Sequence, residues 1–363
     1  MSLPEPRRGI MDISPYVGGE SALPGVDRII KLSSNEGALG PSPRAVEAYV
    51  RASSELHRYP DGGSTRLRQA IAACHGLDPE RVVCGAGSDE LIGLLCHAYA
   101  EPGEEVLYSR HGFLMYAIYA RSVGAVPVAA PETNLTADVD ALLAAVTPRT
   151  RLLFLANPNN PTGTYLPAAE VRRLRRELPE RVLLVLDAAY AEFVDRDDYS
   201  AGVDLVESPP GNTVMTRTFS KIYGLGGLRL GWAYCPAAIA DVLNRVRSPF
   251  NVSLAAQEAG AAAVADVAFT EQARVHNEKW RSWLNDSLTG LGLTVTPSVC
   301  NFLLVHFPAD SERGTEAADR FLRSRGLIAR RVAGYGLPDT LRITIGREEE
   351  VRAVALALTE FLA

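Results

Sequence analysis

The chain has 363 residues, 47% of them hydrophobic and 22% charged, and carries a net charge of −6. That length exceeds what one compact layered unit usually holds, so a larger and a smaller domain are expected. The acidic balance offers no basic field for nucleic acid or an acidic membrane surface, and no apolar run reaches the length of a membrane span.

Residues 1–40 are rich in glycine and proline and have little periodicity. Pro15-Tyr16-Val17-Gly18-Gly19 and Asn35-Glu36-Gly37-Ala38-Leu39-Gly40-Pro41 are turn material, so the segment is expected to order only against another surface, of its own subunit or a partner's. Met1 to Gly9 lacks the apolar core of a signal peptide. Cys74, Cys84, Cys96, Cys235 and Cys300 are odd in number and form no CxxC pair, which suits buried free thiols in a reducing cytoplasm. Ala45, Val46, Tyr49, Val50 and Leu56 mark an amphipathic helix after Pro43. Ser64 is expected to cap the next helix, whose Leu67, Ala70, Ile71 and Cys74 face inward.

A short strand, Arg81–Cys84, then runs into Gly85-Ala86-Gly87-Ser88-Asp89-Glu90 and a helix over Leu91–Ala100. A strand, a glycine turn and a helix start leave free amides where an anion can bind. No third glycine follows at the dinucleotide spacing, and many such turns bind nothing. Further strands are expected at Glu105–Tyr108, Val126–Ala129, Leu152–Ala156, Val182–Leu186 and Thr213–Arg217. Helices at His111–Val123, Val139–Ala145 and Ala168–Glu177 separate most of them. Apolar strands alternating with helices predict an α/β fold: a mainly parallel sheet covered on both faces, with ligand chemistry at the carboxyl ends of its strands.

Three features fall at those ends. Asn157-Pro158-Asn159-Asn160-Pro161-Thr162-Gly163 makes a rigid turn with amide donors. Asp187 closes an apolar strand with Tyr190 three residues later; a protonated pyridine nitrogen would partner that acid, and so would a structural ion pair or a helix end. Thr218-Phe219-Ser220-Lys221 places two hydroxyls and an amine at the end of a core strand, and Arg229 follows eight positions after the lysine. A half-buried amine loses hydration and becomes a nucleophile toward carbonyls, while the hydroxyls and guanidinium suit a phosphate oxygen. An imine-forming amine beside a phosphate site suggests pyridoxal phosphate; a basic loop after a strand would read the same in isolation.

From about Arg247 the character changes to an alanine-rich helix and a long polar one with Trp280, Trp283 and Leu284. Strands follow at Phe302–Val305 and Leu341–Gly346, with helices at Ala317–Arg325 and Glu348–Leu362. This tail reads as a smaller α+β domain joined to the first by one long helix.

Over nearly its whole length the chain resembles the fold type I pyridoxal-phosphate aminotransferases, and more closely their histidinol-phosphate branch. The motifs that carry the resemblance are Lys31-Leu32-Ser33-Ser34-Asn35-Glu36, Tyr59-Pro60-Asp61-Gly62, Gly87-Ser88-Asp89-Glu90-Leu91-Ile92 and Asn159-Asn160-Pro161-Thr162-Gly163. Phe219-Ser220-Lys221, Gly227-Leu228-Arg229 and Leu341-Arg342-Ile343-Thr344 complete the set. The resemblance implies pyridoxal 5'-phosphate as cofactor and a division into an arm (1–28), a large cofactor domain (29–247) and a small domain (248–363).

By the same resemblance Lys221 is the Schiff-base lysine and proton carrier, and Asp187 the partner of the pyridinium nitrogen. Asn160 and Tyr190 are the donors to the phenolic oxygen, and Phe113 is the ring stacked on the pyridine, with core packing as the alternative. Ser88, Asp89, Thr218, Ser220 and Arg229 form the phosphate cup. Tyr59 reaches the phosphate of the other subunit in a homodimer. Tyr16, Asn35, Arg330 and Arg342 meet the substrate, with Arg330 the second phosphate-binding arginine.

The implied reaction moves an amino group from histidinol phosphate to 2-oxoglutarate in histidine biosynthesis, in the cytoplasm, without nucleic acid, membrane or metal. Glu36-Gly37-Ala38-Leu39-Gly40 and Arg110-His111-Gly112-Phe113 depart from common family patterns beside the substrate pocket, so substrate range is where the resemblance is weakest. His111 is expected to position or pack rather than act as a base. Aromatic amino acids as donors, and an amino-acid-phosphate decarboxylase, are the alternatives. A ligand-sensing regulator would need a DNA-binding module that the residues before Met11 are too few to hold.

Overall fold

Seven strands form the main sheet of the computed structural model, which describes residues 4–7, 9–25, 28–310 and 312–363. Parts of the expected arm, residues 1–3, 8, 26 and 27, lie outside the described residues. In chain order the strands are Val82–Gly85 (β1), Glu105–Ser109 (β2), Val126–Ala130 (β3), Thr150–Ala156 (β4), Leu183–Asp187 (β5), Thr213–Thr218 (β6) and Gly231–Tyr234 (β7). Their order across the sheet is β1-β7-β6-β5-β4-β2-β3. From β6 to β3 all neighbours run parallel, whereas β7 is antiparallel to both β6 and β1.

The interior strands are apolar along their length because helices cover both sheet faces. Phe154, Val185 and Val214 pack on one face with Leu91, Leu95 and Tyr116. Leu153, Leu155, Leu184 and Leu186 pack on the other with Val171 and Leu174. Only the edge strand β3 has a mostly exposed or intermediate pattern. The sequence reading lacks β7, since its four residues follow a glycine-rich run that reads as loop.

A second sheet is built from Thr294–Thr296 (β8), Phe302–His306 (β9), Arg330–Val332 (β10) and Leu337–Thr344 (β11), in the order β8-β9-β11-β10 and antiparallel throughout. The helices Val267–Gly290, Thr315–Ser324 and Glu348–Leu362 bury Leu284, Leu322 and Leu358 against its Leu303, Leu341 and Ile343. A short parallel pairing of Ile30–Lys31 with Leu327–Ile328 binds the segment after the arm to this second layer. The helix Leu254–Ala265, by contrast, shares the main sheet's core through Ala256, Ala259 and Ala263, beside Ala45, Leu67 and Ile71.

Several local expectations need correction. Ser64 stands at the N-cap of the helix Thr65–His75 but in a left-handed conformation (φ 48°), and its side chain makes no cap bond. The Asp61 carboxylate does that work, accepting from Thr65 N–H at 2.6 Å and Gly63 N–H at 2.9 Å. Those bonds, Thr65's first, hold its carboxyl below the usual carboxylate range. Cys74 is exposed rather than inward; the other four cysteines are buried, and all five are free. The amphipathic helix expected after Pro43 does form, over Pro43–Ala52, with Ala45, Ala48 and Ala52 buried and Val46, Tyr49 and Val50 facing outward. The helix expected from His111 begins at Met115, because Ser109 to Phe113 forms a turn closed by Gly112 N–H to Ser109 O at 2.8 Å.

Candidate active site

The carboxyl ends of β1, β4, β5 and β6 open onto one cavity of about 220 Å³, closed from above by β11, residues 33–35 and Tyr16 of the arm. Every site residue expected from the sequence lines it except Tyr59, which is 83% exposed and stacks on Phe250 with ring centroids 4.8 Å apart. Ser33, Ser34, Met115, Pro158, Ala189 and Tyr335 line it as well and were not anticipated.

Asp187 ends β5 with its carboxylate buried. Burial is the first cause that lifts its pKa, to about 6, and the Asp89 charge adds to it. Three donors work against that rise: the Tyr116 hydroxyl at 2.7 Å, the Ala189 N–H, and the Thr216 hydroxyl at 3.5 Å. Tyr116 is wholly buried and stacks on Phe154, with centroids 4.7 Å apart. Its ring also meets Phe113 edge-on at 5.9 Å.

Lys221 follows β6, and its amine sits 3.3 Å from the Ser34 carbonyl and 5.7 Å from the centre of the Tyr190 ring. Burial first, then the Arg342 charge, lowers its pKa to about 8, against the opposing pull of Asp89 and Glu36. At pH 7.5 roughly a quarter of such amines are neutral and able to attack a carbonyl.

Beside the amine lies an anion cup. Ser88 and Asp89 open the helix Ser88–Tyr99, where backbone N–H groups have no intrahelical acceptor. Gly87 before them has φ 89°, and a Cβ there would lie 2.6 Å from the Arg229 guanidinium. The register pairs Gly231 with Thr218, and a Cβ on Gly231 would fall 2.3 Å from the Ser88 nitrogen. Glycine at both places lets helix start, strand and arginine converge. Arg229 bonds Asp89 (3.1 Å), Gly226 O (3.0 Å) and the Ser220 hydroxyl (3.3 Å), and Thr218 and Ser220 turn toward the same cavity.

The opposite wall comes from β11. Arg342 donates to the Asn160 side-chain oxygen and, at 2.8 Å, to the Ser33 carbonyl. With its oxygen so engaged, the Asn160 amide has its N–H₂ left for the cavity. Arg342 is buried, and its Nε has no hydrogen-bond partner among the described residues. Arg330 on β10 donates to the carbonyls of Val17 and Gly18, both at 2.6 Å, so it holds the arm against the cavity mouth. Tyr16 of that arm meets Phe113 edge-on at 6.3 Å. Asn35 contacts Tyr190, its Nδ2 donating to the hydroxyl at 2.9 Å. His111 does not line the cavity: its ring and backbone N–H both bind Glu132, at 2.7 and 3.0 Å, and this anchors the turn that carries Phe113.

Residues 27–358 match the family model for aminotransferases of class I and II. A histidinol-phosphate aminotransferase of Paramagnetospirillum magneticum is 65% identical over 362 residues, covering 100% of this chain and 99% of its own. One from Rhodospirillum rubrum is 63% identical over 361 residues, covering 99% and 98%. Among solved structures, the histidinol-phosphate aminotransferase of Sinorhizobium meliloti in complex with pyridoxal-5'-phosphate superposes with a TM-score of 0.88 at 30% identity, covering 99% of this chain and 98% of that one.

Proposed function

The chain belongs to the class I and II aminotransferases and is a pyridoxal-phosphate-dependent transaminase; on that premise we propose that it moves the amino group of L-histidinol phosphate to 2-oxoglutarate, a step of histidine biosynthesis. One observation carries the choice of donor. Arg330 and Arg342 are direct register partners on β10 and β11, and both line the cavity. Like charges directly opposite one another destabilise a sheet unless an anion is shared between them. Histidinol phosphate bears a phosphomethyl group where an amino acid bears its carboxylate, and a phosphate dianion has the oxygens to engage two guanidiniums.

The cavity fits the cofactor on its own terms. Asp187 is a buried carboxylate whose donors are two hydroxyls and one backbone N–H with no cation among them, which suits a protonated ring nitrogen, and glycines 87 and 231 let the helix start and Arg229 converge on one anion cup. Ser88, Asp89, Thr218, Ser220 and Arg229 would hold that phosphate, and Phe113 would lie along the ring. Bound there, pyridoxal phosphate supplies the aldehyde that receives the amino group and the ring that accepts electrons from the substrate α-carbon.

The remaining work is the protein's. Lys221, with its lowered pKa, takes and returns the proton at the substrate α-carbon. Asp187 holds a proton at the ring nitrogen by staying ionised. Asn160 and Tyr190 donate to the phenolic oxygen, Arg342 and Arg330 hold the substrate's phosphate, and Tyr16 and Asn35 close its side of the pocket.

Tyr16, Phe113 and Tyr335 give the cavity an aromatic lining that also suits phenylalanine or tyrosine as donors, the second reading. A cytoplasmic homodimer is the assembly that fits best. Val46, Tyr49, Val50, Tyr59 and Phe250 expose apolar surface suited to cover by a second copy, whose phosphate cup Tyr59 would reach. Five unpaired thiols suit a reducing compartment. The arm (1–28), large unit and small unit remain our division, and the core contacts of Leu254–Ala265 favour moving the crossing from 247 to about residue 265. Protein loaded with cofactor and given histidinol phosphate and 2-oxoglutarate should form glutamate; its absence would count against the proposal.

A further inference from the structure

We propose that Thr344 is a positioning residue for Tyr190, acting through Asn35 to keep the Tyr190 hydroxyl proton directed into the cavity. The inference rests on the reading of Tyr190 as a donor to the cofactor's phenolic oxygen.

Thr344 ends β11 two residues beyond Arg342, so both side chains leave the same face of the strand. Its hydroxyl oxygen accepts from the Asn35 backbone N–H at 2.9 Å. A backbone amide can only donate, so the hydroxyl keeps its own proton, and the group within reach is Asn35 Oδ1 at 3.1 Å. With Oδ1 engaged, the Asn35 amide is held with Nδ2 toward Tyr190, 2.9 Å from the phenol oxygen. That oxygen therefore accepts, and its single proton must turn elsewhere, toward the cavity that Tyr190 lines.

Thr344, Asn35 and Tyr190 are all buried (3%, 1% and 4% exposed), so each hydrogen bond along the chain costs more to lose than one at the surface. Asn35 also has φ 54°, a conformation that a non-glycine residue adopts only when its surroundings impose it. Thr344 supplies one restraint, and Asn301 supplies the other by donating to the Asn35 carbonyl at 3.1 Å. Donation from Asn35 draws charge from the phenol oxygen and makes Tyr190 the stronger donor, against the burial that raises its pKa.

The test is the pH titration of the visible absorption of the cofactor-loaded protein, whose midpoint falls when the phenolic oxygen is stabilised as an anion. Tyr190→Phe should raise the midpoint by about one unit or more, and Thr344→Val by about half a unit to one. Thr344→Ser, which keeps the hydroxyl, should restore the wild-type midpoint. If the valine variant does not fold, Thr344→Ala should show the same shift. A moved midpoint in Tyr190→Phe with none in Thr344→Val, or equal shifts in the valine and serine variants, overturns the relay alone. An unmoved midpoint in Tyr190→Phe overturns the donor reading and the relay with it.

Discussion

Arg330 and Arg342 stand opposite one another on neighbouring antiparallel strands, and both line the cavity. A substrate phosphate would engage both; a carboxylate needs only Arg342. One charged hydrogen bond is worth about 1.5–3 kcal/mol, so Arg330→Ala should lower kcat/KM for histidinol phosphate by about one to two powers of ten. Arg330 also grips the Val17 and Gly18 carbonyls, so some loss common to every donor is expected. The telling quantity is the ratio to phenylalanine, which should fall at least tenfold; an unchanged ratio would mean that Arg330 does not read phosphate.

Tyr116→Phe keeps the ring stacked on Phe154 and removes one donor from Asp187. That donor lowers the Asp187 pKa from where burial would put it, so its loss should carry the value upward from about 6. With a rise of about one unit, the ionised fraction at pH 7 drops from roughly nine-tenths to roughly half. Cofactor binding by the apoprotein, followed by fluorescence, should weaken at pH 7 and recover as pH rises toward 8.5. An unaltered pH dependence would show that the hydroxyl does not govern the carboxylate.

Lys221 has a folded-state pKa of about 8 against an ordinary 10.5. Between these values the unfolded chain binds more protons, so this group's contribution to stability rises with pH across that window and is unfavourable below it. Lys221→Met should therefore stabilise the cofactor-free protein by about 1–3 kcal/mol at pH 7 and by much less at pH 10.5. Thermal unfolding at the two values measures it. The chain has three lysines, Lys31, Lys221 and Lys279, so borohydride reduction of the loaded protein with peptide mapping also identifies the one that carries cofactor. A tag on Lys31 or Lys279 would remove Lys221 from its role.

Tyr59 is exposed and outside its own chain's cavity. If each site borrows it from a second copy, mixing inactive Tyr59→Ala and Lys221→Ala proteins should regenerate activity, because a hybrid dimer has one intact site. A fully active monomer in sedimentation would contradict this.

Much of this site could be read from the chain because parallel strands buried on both faces announce themselves as unbroken apolar runs. Leu183–Asp187 is such a run, and the polar residue that ends it marks the carboxyl edge where ligands collect. The partners of those residues were not legible. Tyr116 meets Asp187 across 71 positions, and Thr344 meets Asn35 across 309, distances at which local spacing carries no signal. Tyr116 could at most have been flagged as a tyrosine on the inward face of its helix, in line with the buried Ala120. What covers Val46, Tyr49 and Val50 was not legible for another reason: periodicity reports an apolar face, not whether the chain's own core or another surface covers it. Ser64 lost the cap to Asp61 because a left-handed backbone turns its hydroxyl away from the free amides.

The most direct measurement compares kcat/KM for histidinol phosphate, phenylalanine and tyrosine with 2-oxoglutarate as acceptor, counting glutamate and released carbon dioxide. Histidinol phosphate should be favoured by about two powers of ten or more, with one glutamate per donor consumed and no carbon dioxide. Equal or greater efficiency with phenylalanine, or carbon dioxide released in step with substrate loss, would contradict the account.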